Sequence, residues 1–209
     1  MSQFANPTGF LGRMLARGMA WDHKVCYKNT AKALNLKRDD KYLEIGFGSG
    51  LFIKKYASHV SRIAGLDYSK DMVKLANDIN KNLVESGKAE FKHGNVSSLP
   101  WNNNEFSIVV AIETFFFWPE PEVSLKEIFR VLAPGGRLVI EMSYNMDDGI
   151  DHKHIKKMNF KLYKGDDMKK ILRESGFSDI VIEYYKGFWI PIKGYIVPKG
   201  MIVKAKKMN

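Results

Sequence analysis

The stretch that decides the fold class is Tyr42-Leu43-Glu44-Ile45-Gly46-Phe47-Gly48-Ser49-Gly50. A short apolar strand runs here into three glycines at alternate positions, and a helical pattern begins at Leu51. Glycines in such a turn accept positive φ and let the backbone approach a ligand with no Cβ in the way. In an open α/β sheet the ligand lies beyond the carboxyl ends of the strands, which is where this loop would lie.

β-rich runs alternate with amphipathic helical patterns along the rest of the chain. The five early strands are predicted at 41–45, 62–66, 89–92, 106–112 and 137–142. One helical face between them is formed by Met72, Leu75, Ala76, Ile79 and Leu83. Two further runs, at 179–185 and between residues 188 and 203, have no helix between them and are expected to pair antiparallel. The pattern predicts a doubly wound, Rossmann-like α/β sheet of seven strands.

The length of 209 residues predicts a single domain, 1–209. Residues 1–38 are expected to form an N-terminal helical cap, and the polar segment 145–165 a lid. No stretch approaches the roughly 18 apolar residues of a membrane span, and there is no secretory pattern, so we expect a cytoplasmic protein. Because Cys26 is the only cysteine, no intrachain disulfide can form, and we expect it to be a small buried group.

The formal net charge of +10 permits an anionic partner such as RNA or a phosphorylated metabolite. The lysines are dispersed along the chain, however, which favours a solvated surface over a nucleic-acid interface. Nucleic acid is therefore a possible but not a favoured partner, and the oligomeric state is left open.

The glycine loop fits some nucleotide ligands poorly. A dinucleotide loop needs G-x-G-x-x-G, and Leu51 occupies the place of its third glycine. No Gly-Lys-Ser/Thr follows, which excludes a phosphate-binding P-loop. The acidic Glu44 would repel a pyrophosphate but suits a cation, and S-adenosylmethionine carries an ammonium, a sulfonium and no phosphate. Asp67, 21 residues after Gly46, ends the second strand, where its carboxylate can accept both hydroxyls of a ribose.

Four segments in this order resemble one family. They are the glycine loop, Gly65-Leu66-Asp67-Tyr68-Ser69-Lys70-Asp71-Met72, His93-Gly94-Asn95-Val96-Ser97-Ser98-Leu99-Pro100-Trp101 and Leu132-Ala133-Pro134-Gly135-Gly136-Arg137-Leu138. The chain is similar, over about residues 40–185, to class I S-adenosylmethionine-dependent methyltransferases of type 11, the group that includes the ubiquinone and menaquinone C-methyltransferases. The resemblance implies the strand order 3-2-1-4-5-7-6, with strand 7 antiparallel.

The resemblance also implies a set of cofactor contacts. The methionine moiety would be held by Glu44 and the glycine-loop residues Gly46, Phe47, Gly48 and Gly50. Asp67 would bind the ribose, and Tyr68, Met72, Asn95 and Val96 would surround the adenine. The family usually has Asp where this chain has Asn95, whose amide oxygen can also accept a hydrogen bond. Glu113, after the fourth strand, is a further candidate for contact with the cofactor.

Methyl transfer is an in-line displacement at a carbon that the sulfonium already activates, and alignment alone can supply about 7–11 kcal/mol. No catalytic residue is therefore obligatory; Glu113, Tyr144, His152 and His154 are weak candidates for a base. No metal site is predicted. The expected substrate wall is Phe115, Phe116, Phe117 and Trp118, of which we expect two in the core and at least one at the site.

The sequence thus predicts transfer of a methyl group from S-adenosylmethionine to a small-molecule acceptor. Three alternatives remain open: an RNA methyltransferase, a non-catalytic protein that binds the cofactor, and a nicotinamide-dependent oxidoreductase, which the glycine spacing disfavours.

Overall fold

The computed structural model describes residues 24–149, 160–190 and 195–208. Within these ranges the strands are β1 Lys41–Ile45, β2 Arg62–Asp67, β3 Ala89–His93, β4 Phe106–Ile112, β5 Leu132–Met142, β6 Ser178–Ile190 and β7 Tyr195–Lys206. The helices are α1 Lys24–Leu34, α2 Leu51–Tyr56, α3 Lys70–Ile79, α4 Lys81–Glu85, α5 Pro121–Val131 and α6 Gly165–Glu174, with short 3₁₀ turns at Ala57–His59 and Phe115–Phe117.

The seven strands form one sheet in the order β3-β2-β1-β4-β5-β7-β6. Strands β1 to β5 pair in parallel, whereas β7 runs antiparallel to both β5 and β6. The predicted fold class, strand order and antiparallel seventh strand are confirmed. From β1 the chain adds β2 and β3 on one side of the sheet and then returns to add β4 on the other side of β1. The crevice at the carboxyl ends of β1 and β4 is therefore the topological switch point of the sheet.

The sheet is buried on both faces, as the continuous apolar run of β4 predicts. Val109 and Ala111 of β4 lie in a core with α5 and α6. Ile108 and Val110 lie in a second core, on the face that α2 covers. The N-terminal helix α1 packs against β5 and β7. These two layers hold the strand ends of β1, β4 and β5 in fixed relative positions.

Four elements differ from the sequence-based expectation. Strand β6, predicted at 179–185, runs to Ile190, and β7, predicted between residues 188 and 203, ends at Lys206. The helix predicted to include Leu83 ends at Ile79, because Asn80 leaves the helical conformation and turns its side chain to the carbonyls of Gly50 and Ala76. The fifth strand begins at Leu132 instead of residue 137, and its register to β4 shifts between Phe106 and Ile108. The Pro134-Gly135-Gly136 turn is therefore an irregularity of the strand edge.

The cap and the lid lie partly outside the described residues. Residues 1–23 of the cap and 150–159 of the lid are outside, so both remain predictions. The described parts of both segments are anchored: α1, within the cap, packs on the sheet, and Tyr163, within the lid segment, is 3% exposed. Among the helices of the described ranges, none has the length and apolar character needed to span a membrane.

Candidate functional site

The first two glycines of the loop after β1 are needed for different reasons. Gly46, Gly48 and Gly50 all have positive φ, between 55° and 73°. A Cβ on Gly46 would lie 2.5 Å from Oγ1 of Thr114, so this glycine permits close packing of the loop on the end of β4. A Cβ on Gly48 would meet nothing within 4 Å. The open space above Gly48 is where a ligand can approach the backbone.

Asp67, the last residue of β2, is tied to this loop. Its Oδ2 accepts a hydrogen bond of 2.8 Å from the Gly48 amide, and its Oδ1 accepts one of 2.9 Å from the Ser69 amide. Burial raises the pKa of Asp67 to about 6, although these amides oppose the shift. Because each carboxylate oxygen has two acceptor sites, both oxygens keep capacity for the two hydroxyls of a ribose.

Glu44 lies within β1 and is 3% exposed. Its carboxylate accepts a hydrogen bond of 2.6 Å from the Tyr42 hydroxyl. Burial raises the pKa of Glu44 to about 8, and the nearby charge of Asp67 adds to the increase. Nowhere in the described ranges does a basic side chain form an ion pair with Glu44. A bound cation, such as an ammonium, would stabilise the ionised form of a carboxyl that is buried without a basic partner.

The predicted adenine contacts follow β2 and β3. Tyr68 is 50% exposed, and its ring can cover a flat ligand. Met72 and Val96 are buried. Asn95 is exposed, and its Oδ1 already accepts a hydrogen bond from the Ser97 amide, which leaves one acceptor site for an amino group. The side chain of Phe47 lies in the core against Phe91, so only its backbone is available to a ligand.

The aromatic run after β4 is more deeply buried than expected. Phe115, Phe116 and Trp118 lie in the core, one more ring than the sequence indicates. Phe117 is half-buried and packs edge-on against Phe160, within the segment predicted as the lid, with the ring centroids 4.6 Å apart. Phe117 is therefore the member of this run that retains surface for a substrate.

The weak catalytic candidates separate in the structure. Glu113 directly follows β4 with a φ of 55°, and its Oε1 accepts a hydrogen bond from the Ser143 amide. Tyr144 is half-buried, after β5. His152 and His154 lie outside the described residues. Positive φ is uncommon for a residue other than glycine, and such strain concentrates at functional sites, so Glu113 is the stronger of the two candidates that the structure describes.

The structure adds a buried acid that the sequence analysis missed. Glu141, on β5, is 0% exposed and close to Glu113, and the Tyr185 hydroxyl donates to its Oε1. One signal was present: a single glutamate interrupts the apolar run Leu138-Val139-Ile140-Glu141-Met142. Charged residues are almost never fully buried without a partner, so this one indicates a site.

These groups fit the donors and acceptors of an adenosyl ligand. The open space at Gly48 lets a ligand contact the backbone. Asp67 can accept hydrogen bonds from ribose hydroxyls, and the buried Glu44 can accept them from an ammonium. The buried carboxyl of Glu44 beside this loop disfavours the negative charge of a pyrophosphate. The site therefore favours a cationic nucleoside over a dinucleotide.

Comparison with known proteins gives consistent results. The methyltransferase-domain family profile matches residues 43–140. The uncharacterized methyltransferase YdaC of Bacillus subtilis is 26% identical over 79% of this chain and 87% of its own length. A demethylmenaquinone methyltransferase of Oceanobacillus iheyensis is 29% identical over 56% of this chain. This chain covers 50% of the length of that enzyme.

Solved structures share the fold. A putative methyltransferase in complex with the Haloferax volcanii Trm112 methyltransferase activator aligns with a TM-score of 0.80, over 94% of each chain. Because the two sequences are only 18% identical, the comparison shows a shared fold and nothing more.

Proposed function

The chain belongs to the class I S-adenosylmethionine-dependent methyltransferase family, and from this premise we propose that it transfers a methyl group from S-adenosylmethionine to a small-molecule acceptor. The observation that carries the proposal is the glycine loop, in which Gly48 faces open space, Asp67 accepts from the Gly48 amide, and Glu44 is buried in the strand that leads into the loop. We propose that these residues make the cofactor contacts that the family resemblance implies: Asp67 with the ribose, and Glu44 and the glycine loop with the methionine moiety.

S-adenosylmethionine supplies a methyl carbon that is activated for in-line displacement by its sulfonium. The protein has to bind the cofactor and the acceptor, orient them towards each other and exclude water. Asp67 is held in one rotamer by two amide donors, so it presents its free acceptor sites in a fixed direction. Glu44, inside the sheet layer, attracts an ammonium at low entropic cost because its side chain is already ordered by Tyr42. Positioning of this kind is sufficient for the reaction.

A small acceptor is supported by the aromatic run after β4. Phe117 keeps an accessible face beside Phe160, a residue of the predicted lid. Aromatic faces bind flat or apolar groups, and they also attract cations. The relatives named as demethylmenaquinone methyltransferases are consistent with a small acceptor.

The test of the cofactor is calorimetric titration with S-adenosylmethionine, S-adenosylhomocysteine and NAD. We expect binding of both adenosyl ligands and none of NAD. Asp67→Asn should weaken adenosyl binding at least tenfold, because an amide accepts through one atom only. Asp78→Asn is the matched control, since Asp78 is an exposed residue of α3 and its change alters the net charge equally. Failure of both adenosyl ligands to bind would refute the proposal.

The test of the acceptor class is transfer of a labelled methyl group to small molecules and to RNA, compared at low and high salt. Transfer to small molecules that is insensitive to salt supports the proposal. Transfer to RNA that falls steeply with salt would establish the RNA alternative instead. Cofactor binding with no transfer to any acceptor would establish the non-catalytic alternative.

A further inference from the structure

A group of polar side chains is buried at the carboxyl ends of β4 and β5. We call it the carboxyl cluster; its members are Cys26, Glu113, Glu141, Ser143 and Tyr185. One ligand atom each of Cys26, Glu113 and Glu141 lies within 4.8 Å of the other two. Cys26 and Glu141 are fully buried, and Glu113 is half-buried. Two carboxyl groups therefore lie close together, and only that of Glu113 is partly accessible from the protein surface.

The cluster is only partly satisfied by its own hydrogen bonds. Tyr185 donates to Oε1 of Glu141, and the Ser143 amide donates to Oε1 of Glu113. Oε2 of Glu141 is buried and receives no hydrogen bond in the described part of the protein. Leaving such an acceptor unpaired costs about 1–3 kcal/mol, more when it is charged. The geometry therefore leaves a place for one more donor.

The cluster also lacks a positive charge. Within residues 24–149, 160–190 and 195–208, no lysine, arginine or histidine forms an ion pair with Glu113 or Glu141. Burial, and then the charge of Glu113, raise the pKa of Glu141 well above its usual range. A cation bound beside Glu141 would stabilise the ionised form of that carboxyl.

The position of the cluster relates it to the proposed reaction. Glu113 is followed by Thr114, the residue on which Gly46 of the cofactor loop packs. Phe115 to Phe117 continue from there as the aromatic run. Glu113 therefore directly precedes the residue that contacts the loop proposed to hold the cofactor, and it lies a few residues before Phe117 of the proposed acceptor wall.

We propose that the carboxyl cluster binds the ammonium group of an amine acceptor, with Glu113 as its direct contact and Glu141 as the partner behind it, so that the chain is an N-methyltransferase. This inference rests on the proposed function and narrows its substrate class. An ammonium has three donors, and the cluster offers acceptors that include the unpaired Oε2 of Glu141.

A divalent metal ion is the competing cation. It would use Cys26 as a thiolate, but burial and the two nearby carboxyl groups raise the pKa of that thiol, and its sulfur is already within 3.1 Å of the Ser143 hydroxyl. The protonated thiol is a poor metal ligand. The arrangement thus favours an ammonium.

The chemical step balances without a further reactant. The acceptor ammonium gives one proton to a carboxylate oxygen of the Glu113–Glu141 pair, which frees the nitrogen lone pair. The nitrogen then forms a bond to the methyl carbon as the carbon–sulfur bond breaks, and the bonding electrons remain on sulfur. The products are a methylated ammonium and S-adenosylhomocysteine, and the proton on the pair leaves to solvent when the product departs.

The experiment compares amines with matched alcohols as acceptors of a labelled methyl group, beginning with 2-phenylethylamine and 2-phenylethanol. We expect the active acceptors to be amines. Glu141→Gln should lower kcat/KM for them at least a hundredfold, because one of the two carboxylates that hold the ammonium and take its proton is lost, while the Kd of S-adenosylmethionine changes less than threefold. Glu183→Gln, at an exposed position of β6, is the matched control and should leave both values unchanged.

Three results would overturn the inference. One is methylation of alcohols or carbon acceptors but not amines. Another is a zinc or other divalent ion that copurifies in a one-to-one ratio and is lost in Cys26→Ser. The third is failure of every amine in the panel to bind the complex with S-adenosylhomocysteine. Because binding of S-adenosylhomocysteine is measured separately, each of these results is distinguishable from failure of the proposed function.

Discussion

Substitution of Gly48 by alanine separates the ligand-binding role of the glycine loop from its folding role. Gly48 has a φ of 55°, and a Cβ there would meet nothing within 4 Å of the protein. Gly87, in the turn between α4 and β3, has a φ of 71° and is equally open. It precedes β3, whereas the ligand crevice lies at the opposite, carboxyl ends of the strands. Gly87→Ala is thus a matched control for backbone strain.

The expected effect on stability follows from the backbone. Left-handed conformation costs an alanine roughly 1–2 kcal/mol, and loss of unfolded-state entropy offsets about 0.4–1 kcal/mol of that. Both variants should therefore lose about 1 kcal/mol of the free energy of unfolding. Gly46→Ala should lose a further 1–3 kcal/mol or so, because its Cβ would lie 2.5 Å from Thr114 Oγ1, well inside van der Waals contact.

The effect on binding should differ between the two open positions. The added methyl of Gly48→Ala would occupy the space proposed for the cofactor, and we expect the Kd of S-adenosylmethionine to rise at least tenfold, or about 1.4 kcal/mol. Gly87→Ala should bind with the affinity of the unchanged protein. Urea unfolding and calorimetry measure the two quantities. Equal affinity of Gly48→Ala and Gly87→Ala would refute the assignment of this space to the ligand.

Three further predictions concern buried polar groups. Asp40→Ala should lower the free energy of unfolding by about 3 kcal/mol in urea titration, because Asp40 is 4% exposed and pairs with Arg137 at 2.7 Å. Glu44→Gln should become more stable, relative to the unchanged protein, as the pH rises from 5 to 8. The reason is that a folded-state pKa of about 8, above the ordinary 4.5, means that ionisation destabilises the fold over this interval. Asn80→Ala should cost about 1–2 kcal/mol in thermal unfolding, because its amide donates to the carbonyl of Gly50.

Each of these has a result that would contradict it. A loss below 1 kcal/mol in Asp40→Ala would mean that the pair with Arg137 is weak in solution. A pH-independent stability difference for Glu44→Gln would place the pKa of Glu44 near its ordinary value. Unchanged stability of Asn80→Ala would show that the loop does not depend on this side chain.

The fold was predictable because its signals are local. The strand before Gly46 and the apolar run of β4 each lie within a few consecutive residues, and Asp67 follows Gly46 after a single helix and strand. Hydrophobic periodicity and glycine conformation act at that range, so the sheet and its order follow from the pattern and the family resemblance. The helix end at Asn80 was missed because a contact 30 residues away, to the Gly50 carbonyl, decided it.

The sheet, the glycine loop and the acid that follows it could all be read from the amino-acid sequence. Only the tertiary structure decided that Gly48 faces open space while Gly46 is closed by Thr114. Only the tertiary structure, too, brought Cys26, Glu113 and Glu141 together from helix α1 and the ends of β4 and β5. Their separations along the chain carry no periodicity, because strand pairing and helix packing, not local conformation, set the distances between them.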